Sequence, residues 1–212
     1  MSQGELTKIS AKTAGEVSQR CGLGDDAKAL LQGDLTPGAF LDVLIEKKLH
    51  PDAAKFLAHA LPKREAVWWA CLCAELIAGA EPAPATAAAL GAARAWVIDP
   101  NDENRRAAFT AAEAAKIATP AGCAALAAFL SGGSLSLPNL PAVPPAEHLT
   151  GDLVASSLAL AAVITEPEKA SQKYANFIKL GLEVAEGRHP WAEAPQPTEK
   201  GPTHGYARRP RR

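Results

Sequence analysis

Proline recurs in this chain at positions where a helix would begin. Its ring fixes φ at about −65° and removes the backbone N–H, so proline is tolerated in the first turn of an α-helix and disrupts the interior. Several of these prolines follow a residue that caps helices, such as threonine. The chain is therefore predicted to form short helices that follow one another closely. The steps in question are Thr36-Pro37, His50-Pro51, Leu61-Pro62, Asp99-Pro100, Thr119-Pro120 and Glu166-Pro167.

Apolar residues between these prolines recur with helical spacing. In a helix with about 3.6 residues per turn, one face carries Tyr174, Phe177, Ile178 and Leu182. No stretch alternates between apolar and polar residues as a half-buried strand would. The sequence predicts an all-α fold, an irregular multi-helix bundle of about ten short helices without a fixed repeat. The expected helices span residues 11–20, 25–32, 37–48, 52–60, 63–78, 84–97, 101–117, 120–130, 152–164 and 168–187.

Length and charge narrow the class of protein. A chain of 212 residues can form one domain with a sizeable core. Its net charge of −1 excludes a whole-molecule field that would attract nucleic acid. The longest apolar run, residues 153–164, is shorter than the roughly 20 residues of a membrane span. The chain starts without a secretory signal and its cysteines lack C-x-x-C spacing, so we expect a cytoplasmic protein with reduced thiols and no membrane span.

Parts of the chain depart from the helical pattern. We expect a flexible N-terminus over residues 1–10, a single helical domain over 11–189, and a disordered Pro/Arg-rich tail over 190–212. Within the domain, residues 131–149 form an extended Pro-rich segment that crosses between helices. Apolar residues recur between its prolines, which favours a segment lying along an apolar groove. Those residues are Leu135, Leu137, Leu140 and Val143.

Two adjacent tryptophans lie in the most apolar predicted helix. Trp68 and Trp69 are about 100° apart around a helix axis. Residues 66–74 are apolar on every side, which predicts a buried central helix. Core packing is therefore the first interpretation of both rings. The alternative for Trp68 is that it anchors a protein partner, because tryptophan is enriched in interface hot spots.

The sequence contains no recognisable catalytic or metal-binding motif. Cys71 and Cys73 are two residues apart on a helix, so their side chains point about 200° apart and cannot share a metal ion. His59 lies in a strongly apolar helix, where a packed histidine is the first interpretation and a ligand or general base the alternative. We therefore expect no catalytic residue, no metal and no cofactor, and a protein that is not an enzyme.

Two short motifs resemble an uncharacterised bacterial family of helical proteins. They are Lys63-Arg64-Glu65-Ala66-Val67-Trp68-Trp69-Ala70-Cys71 and Gly187-Arg188-His189-Pro190-Trp191, and the resemblance extends over residues 35–191. It implies a bacterial source and a helical fold, and it supplies no catalytic residues. Some proteins of this kind lie near genes for secretion or surface machinery, which implies an accessory role.

These observations favour a non-enzymatic adaptor or accessory protein of a bacterial multiprotein assembly, related to secretion or surface machinery. One alternative is a binder of a small molecule or peptide in a pocket between helices near His59 and Trp68. Another is binding of anions or nucleic acid by the basic tail. The other interpretation of this tail is a disordered end that keeps the protein in solution. Alanine-rich helix faces would also permit two copies of the chain to pack closely, so a homo-oligomer is a further alternative. The residues predicted to bind a partner are Trp68, Trp191, Leu137, Leu140, Arg208, Arg209, Arg211 and Arg212.

Overall fold

The computed structural model describes residues 5–137, 139–188 and 191. Over these residues the chain forms ten α-helices and no strand, which confirms the predicted all-α bundle. None of the described helices is both long and apolar enough to cross a membrane. A short 3-10 turn at Pro167–Lys169 precedes the last helix. The helices are α1 (Ala14–Ser18), α2 (Asp25–Ala29), α3 (Pro37–Glu46), α4 (His50–Ala60), α5 (Lys63–Ala78), α6 (Pro84–Ile98), α7 (Asp102–Ala114), α8 (Pro120–Phe129), α9 (Leu149–Val163) and α10 (Ala170–Ala185).

Three of the six predicted prolines, Pro37, Pro51 and Pro120, lie in the first turn of an α-helix. α3 and α8 begin at Pro37 and Pro120, and the threonine hydroxyl before each proline accepts the backbone N–H three residues further on. Pro62 is the residue that precedes α5. Pro167 differs, because Glu166 adopts left-handed backbone with φ of 42° and the proline opens the 3-10 turn instead of an α-helix. The predicted helix over 168–187 is therefore shortened to α10.

Small side chains let the central helices approach one another closely. Every residue of α8 except Leu126 is buried, and most of them are alanine. α5 and α9 pack against α8 and against each other. α6 and α7 cover one side of this centre, and α4 and α10 cover the other. The alanine-rich composition thus lets the helix backbones approach closely, whereas large apolar side chains contribute less to the core.

α5 is buried at the centre, as the sequence predicts. The Trp69 ring is fully buried, and its Nε1–H donates to the main-chain oxygen of Phe177 in α10 at 2.8 Å. Gly181 lets α10 approach this ring, since a Cβ added there would lie 2.6 Å from Trp69 Cε2 and from Leu57 Cδ2. The contact between α5 and α10 therefore depends on a glycine in α10.

Residues 5–10 contact the helical domain. The N–H of Lys8 donates to the main-chain oxygen of Ala185 at 2.9 Å, at the end of α10. Leu6 and Ile9 are partly buried against the core. The flexibility predicted for residues 1–10 stays a prediction, but these contacts join the second half of that stretch to the domain.

Candidate functional site

The segment between α8 and α9, residues 131–148, presents apolar side chains to solvent. The expectation that they lie in an apolar groove is wrong. Leu137 is 64% exposed and Leu140 is 54% exposed, while Leu135 and Val143 are 40% and 50% exposed. The segment is held by its backbone, which accepts hydrogen bonds from two arginines of α7, and its apolar side chains stay about half exposed.

Arg105 is the first of these arginines, and it is only 4% exposed. Its Nη1 donates to the main-chain oxygen of Phe129 at 2.9 Å, and its Nη2 donates to that of Ser134 at 2.9 Å. The guanidinium also lies 4.8 Å from the centre of the Phe129 ring and pairs with Asp102. Gly133 passes directly over it with φ of 66°, where a Cβ would lie 2.8 Å from Arg105 Nε. One buried cation thus joins the end of α8 to the start of the segment.

Arg106 holds the next part of the segment. Its Nη2 donates to the main-chain oxygen of Ser136 at 2.9 Å, and its Nε donates to Asp102 at 2.7 Å. Hydrogen bonds from Arg106 and Arg105 lower the pKa of the Asp102 carboxyl, so this residue stays charged and orients both arginines. We call Arg105, Arg106 and Asp102 the arginine clamp.

Bonds within the segment fold it back on itself. The N–H of Leu135 donates to the main-chain oxygen of Val143 at 2.9 Å. The Ser134 hydroxyl accepts from the N–H groups of Ser136 and Val143 at 3.1 Å and 3.0 Å. The described part of the segment is therefore an ordered loop with outward apolar side chains.

A cleft of about 600 Å³ lies beside the two ends of this segment. It is bounded by the turn between α4 and α5, the end of α6, and the start of α9. Lys63 spans it, because its Nζ donates to the main-chain oxygen of Ser131 at 3.0 Å and lies 3.5 Å from the Glu147 carboxylate. We call this the basic cleft. Its basic and acidic lining residues are Arg20, His59, Lys63, Arg64 and Glu147.

His59 forms the floor of the basic cleft. The residue is 8% exposed, and its Nε2 lies 3.1 Å from Asp152 Oδ1 in α9. Burial lowers the pKa of the imidazole, and the charge and hydrogen bond of Asp152 oppose this only in part. The ring is therefore neutral near pH 7. The packed histidine that the sequence favours thus also lines the cleft.

The described thiols are not activated nucleophiles. All four cysteines are free and buried. Burial raises the pKa of Cys21 to about 11 and that of Cys71 to about 12, so the thiolate is scarce at neutral pH. Among the described residues, no group of three histidine, cysteine or carboxylate side chains is placed to hold a metal ion. The described site offers hydrogen-bond donors, charges and apolar surface to a ligand.

A family model matches residues 40–185, which is most of the chain, and its description is a family of unknown function, DUF6931. The chain belongs to the DUF6931 family. The match confirms the resemblance to an uncharacterised family, while the bacterial source stays a prediction. No curated protein and no solved structure matches the chain. The matched region of this DUF6931 protein includes the arginine clamp, the segment and most of the basic cleft.

The two tryptophans predicted to bind a partner contact arginines of the DUF6931 domain itself. Trp68 is partly buried, with Arg94 5.3 Å from its ring centre. Trp191 is also partly buried, with Arg64 4.3 Å from its ring centre. Both rings therefore have a packing role, and part of each still faces solvent. Of the other predicted residues, Leu137 and Leu140 lie on the exposed segment, and Arg208, Arg209, Arg211 and Arg212 lie outside the described residues.

Sequence reasoning missed the arginine clamp. Arg105 lies on the same face of α7 as Ala108 and Ala112, and all three are buried. An arginine on an otherwise apolar helix face was the available signal, because buried arginine is rare unless it is paired. Its partners are main-chain oxygens 24 and 29 residues away, which no local pattern reveals.

Proposed function

We propose that this DUF6931 protein is a non-enzymatic adaptor of a bacterial multiprotein assembly, acting in the cytoplasm, and that it binds a partner protein through residues 131–148. The observation that carries the proposal is the pairing of exposed apolar side chains with a fixed backbone. Leu137 and Leu140 are more than half exposed, while the arginine clamp holds the loop that presents them. The accessory role implied by the resemblance to secretion or surface proteins fits the same proposal.

A fixed loop lowers the entropic cost of binding. Ordering a flexible segment opposes association, and a segment that is already ordered avoids most of that cost. Burying a whole leucine or valine side chain stabilises a complex by about 1.5–3 kcal/mol. The four apolar side chains are about half exposed, so covering them would contribute roughly 3–6 kcal/mol. This magnitude suits a reversible contact that other polar contacts strengthen.

The end of the segment indicates the kind of surface that would receive it. Residues 141–146 belong to no helix, strand or turn, and all of them except Pro145 are exposed. Prolines at 141, 144 and 145 fix φ near about −65° at three positions, which favours a conformation near polyproline II. Grooves lined by aromatic side chains bind such preformed Pro-rich chains. The proposed partner therefore offers an apolar groove bordered by aromatic rings.

Cross-linking in cells that naturally express the protein tests this proposal. A photo-activatable residue replaces Leu140 in one variant and Leu76 in the other. Leu76 is a matched control, because it is 60% exposed but lies on α5 outside the segment. We expect a discrete protein adduct from position 140 and none of that mass from position 76. The same adduct at both positions would contradict the proposal.

Binding of the cross-linked partner, purified and titrated into the full chain, gives the quantitative test. Leu137→Asp should weaken the affinity at least about fivefold, because covering the exposed 64% of this side chain contributes about 1–2 kcal/mol. Leu76→Asp should leave the affinity unchanged. Both substitutions are at exposed positions, so the unfolding midpoint should stay that of the original chain. Equal affinities of the Leu137→Asp variant and the original chain would overturn the proposal.

A further inference from the structure

We propose that the basic cleft binds a small organic anion that also carries a hydroxyl group. The cleft volume of about 600 Å³ is within the range of ligand sites, about 300–1,000 Å³. The cleft lies beside the two ends of residues 131–148 and includes none of Leu135, Leu137, Leu140 and Val143, so it adds a ligand to the proposed adaptor role.

The charges that line the cleft are unbalanced. The exposed Arg20 guanidinium has no hydrogen bond or ion pair to any described residue. Arg64 donates to two main-chain oxygens at the end of α6, so no carboxylate neutralises it there. Lys63 lies 3.5 Å from Glu147, but the Glu147 side chain is 73% exposed and solvent screens the pair. Three cations and the Glu147 carboxylate line the cleft, while the nearby Asp152 carboxylate is bonded to His59. The excess of basic side chains favours an anionic ligand.

Two helices begin at the cleft and add to this field. α5 begins at Lys63 and α9 begins at Leu149, and neither start is capped by a side chain. The backbone N–H groups of the first helical turn have no acceptor within the helix. Thr150 and Gly151 are in that turn of α9, and both line the cleft. These N–H groups and the positive ends of the two helix dipoles reinforce the basic side chains.

The Nδ1 atom of His59 is an acceptor that a hydrogen-bond donor of the ligand could satisfy. Its ring is buried and neutral, and Nε2 donates to the Asp152 carboxylate. Nδ1 then carries a lone pair, and no described group donates to it. This nitrogen lies on the side of Gly151, where a Cβ would be only 2.6 Å from it. Because Gly151 has no side chain, only backbone packs against the ring edge that carries Nδ1, and both residues line the cleft. A ligand hydroxyl that reaches this edge would satisfy Nδ1.

The remaining wall of the cleft is apolar. Leu61, Pro62, Trp96 and Pro100 line it between the charged groups. An inorganic ion would leave this surface in contact with water, whereas a carbon skeleton would cover it. The combined requirements are one negative group, one hydroxyl and a few carbon atoms. A phosphate ester and a carboxylate both meet the charge requirement.

Titration of the full chain with three simple probes tests the site. The probes are inorganic phosphate, glycerate and glycerol, each added at constant ionic strength and followed by 15N–1H NMR. We expect phosphate and glycerate to shift the Thr150 and Gly151 amide signals saturably, and glycerol to leave them in place. Tighter binding of phosphate would assign the charge to a phosphoryl group, and tighter binding of glycerate would assign it to a carboxylate. No saturable shift with either anion would overturn the proposal.

Arg20→Gln provides the matching variant. Arg20 is exposed and its side chain makes no described hydrogen bond, so this change should leave the unfolding midpoint unaltered. We expect it to weaken anion binding at least threefold, through loss of a charge-assisted contact. The control is Arg188→Gln, which removes an exposed arginine that does not line the cleft. An effect of Arg20→Gln below threefold, or equal to that of Arg188→Gln, would overturn the assignment.

Discussion

Replacing Arg105 by methionine should destabilise the protein and free the segment that α7 holds. Methionine keeps an apolar stem in the buried position and removes the guanidinium. The change deletes the hydrogen bonds to the main-chain oxygens of Phe129 and Ser134, together with the pair to Asp102. Of these acceptors, the oxygen of Phe129 is the one that has no second donor from the arginine clamp.

The magnitude follows from what each acceptor retains. A buried oxygen that loses its donor costs about 1–3 kcal/mol, which applies to Phe129. Ser134 and Asp102 keep Arg106, so their contribution is smaller. Loss of the cation from the Phe129 ring removes about 0.5–1 kcal/mol. Because methionine avoids the cost of burying a charge, part of this is offset, and we expect a net loss of about 2–3 kcal/mol in the free energy of unfolding.

Urea unfolding measures this loss, and amide hydrogen exchange measures the release of the segment. The N–H groups of Leu135 and Val143 should exchange faster in Arg105→Met, since their acceptors belong to the released loop. Arg106→Met is the matched control, because the Arg106 side chain is 29% exposed and should cost less than about 1 kcal/mol. A loss below about 1 kcal/mol for Arg105→Met, or one no larger than that of Arg106→Met, would refute the reasoning.

Three further outcomes are expected. Gly181→Ala should lose about 1–3 kcal/mol in urea unfolding, because its methyl group would overlap the Trp69 ring, whereas Gly91→Ala, in open space on α6, should be neutral or stabilising. Burial lowers the pKa of His59, so the unfolded chain takes up a proton at about pH 6.5 that the folded chain accepts only at lower pH. Stability should therefore fall as the pH drops below about 6.5, and urea titrations at several pH values should show a shallower fall for His59→Gln. Burial also raises the pKa values of the thiols, with that of Cys71 at about 12. The native chain should therefore react with Ellman's reagent at about pH 8 at least about 100-fold more slowly than the denatured chain. Similar rates for the native and denatured chains would contradict the buried positions.

Local signals were sufficient to predict the helices. A threonine cap followed by proline is a short-range arrangement, and the hydroxyl–amide bonds at Thr36 and Thr119 form within four residues. The prediction is wrong where a non-local requirement intervenes. Leu149 begins α9 three residues before the expected start, and the hydroxyl of Thr150 in its first turn donates to the main-chain oxygen of Leu130 at 3.1 Å. That bond joins the start of α9 to the end of α8, which sequence spacing does not indicate.

The candidate site was less predictable, because its determinants are side chains that bond to distant main-chain atoms. Leu137 and Leu140 could be identified from their recurrence between prolines, but the same pattern suits a buried segment and an exposed one. The outcome depends on Arg105 and Arg106, which donate hydrogen bonds to main-chain oxygens of the loop. The loop is therefore fixed through its backbone, and its apolar side chains need not pack against the domain. A hydrophobic pattern therefore predicts that a segment will make an apolar contact. It does not state whether the contact lies within the chain or on a partner.

The basic cleft and the exposed segment are adjacent, and this affects how their proposed roles can be separated. Ser131 and Glu147 belong to the two ends of the segment and also line the cleft, and Lys63 contacts both. A ligand that draws Lys63 away from these ends would change the segment, and linkage requires a bound partner to change the affinity for the ligand by the same factor. A variant at Lys63 would disturb both roles at once. Arg20→Gln and Leu137→Asp each lie at one site only, so partner binding that survives the first change and anion binding that survives the second would distinguish two sites from one.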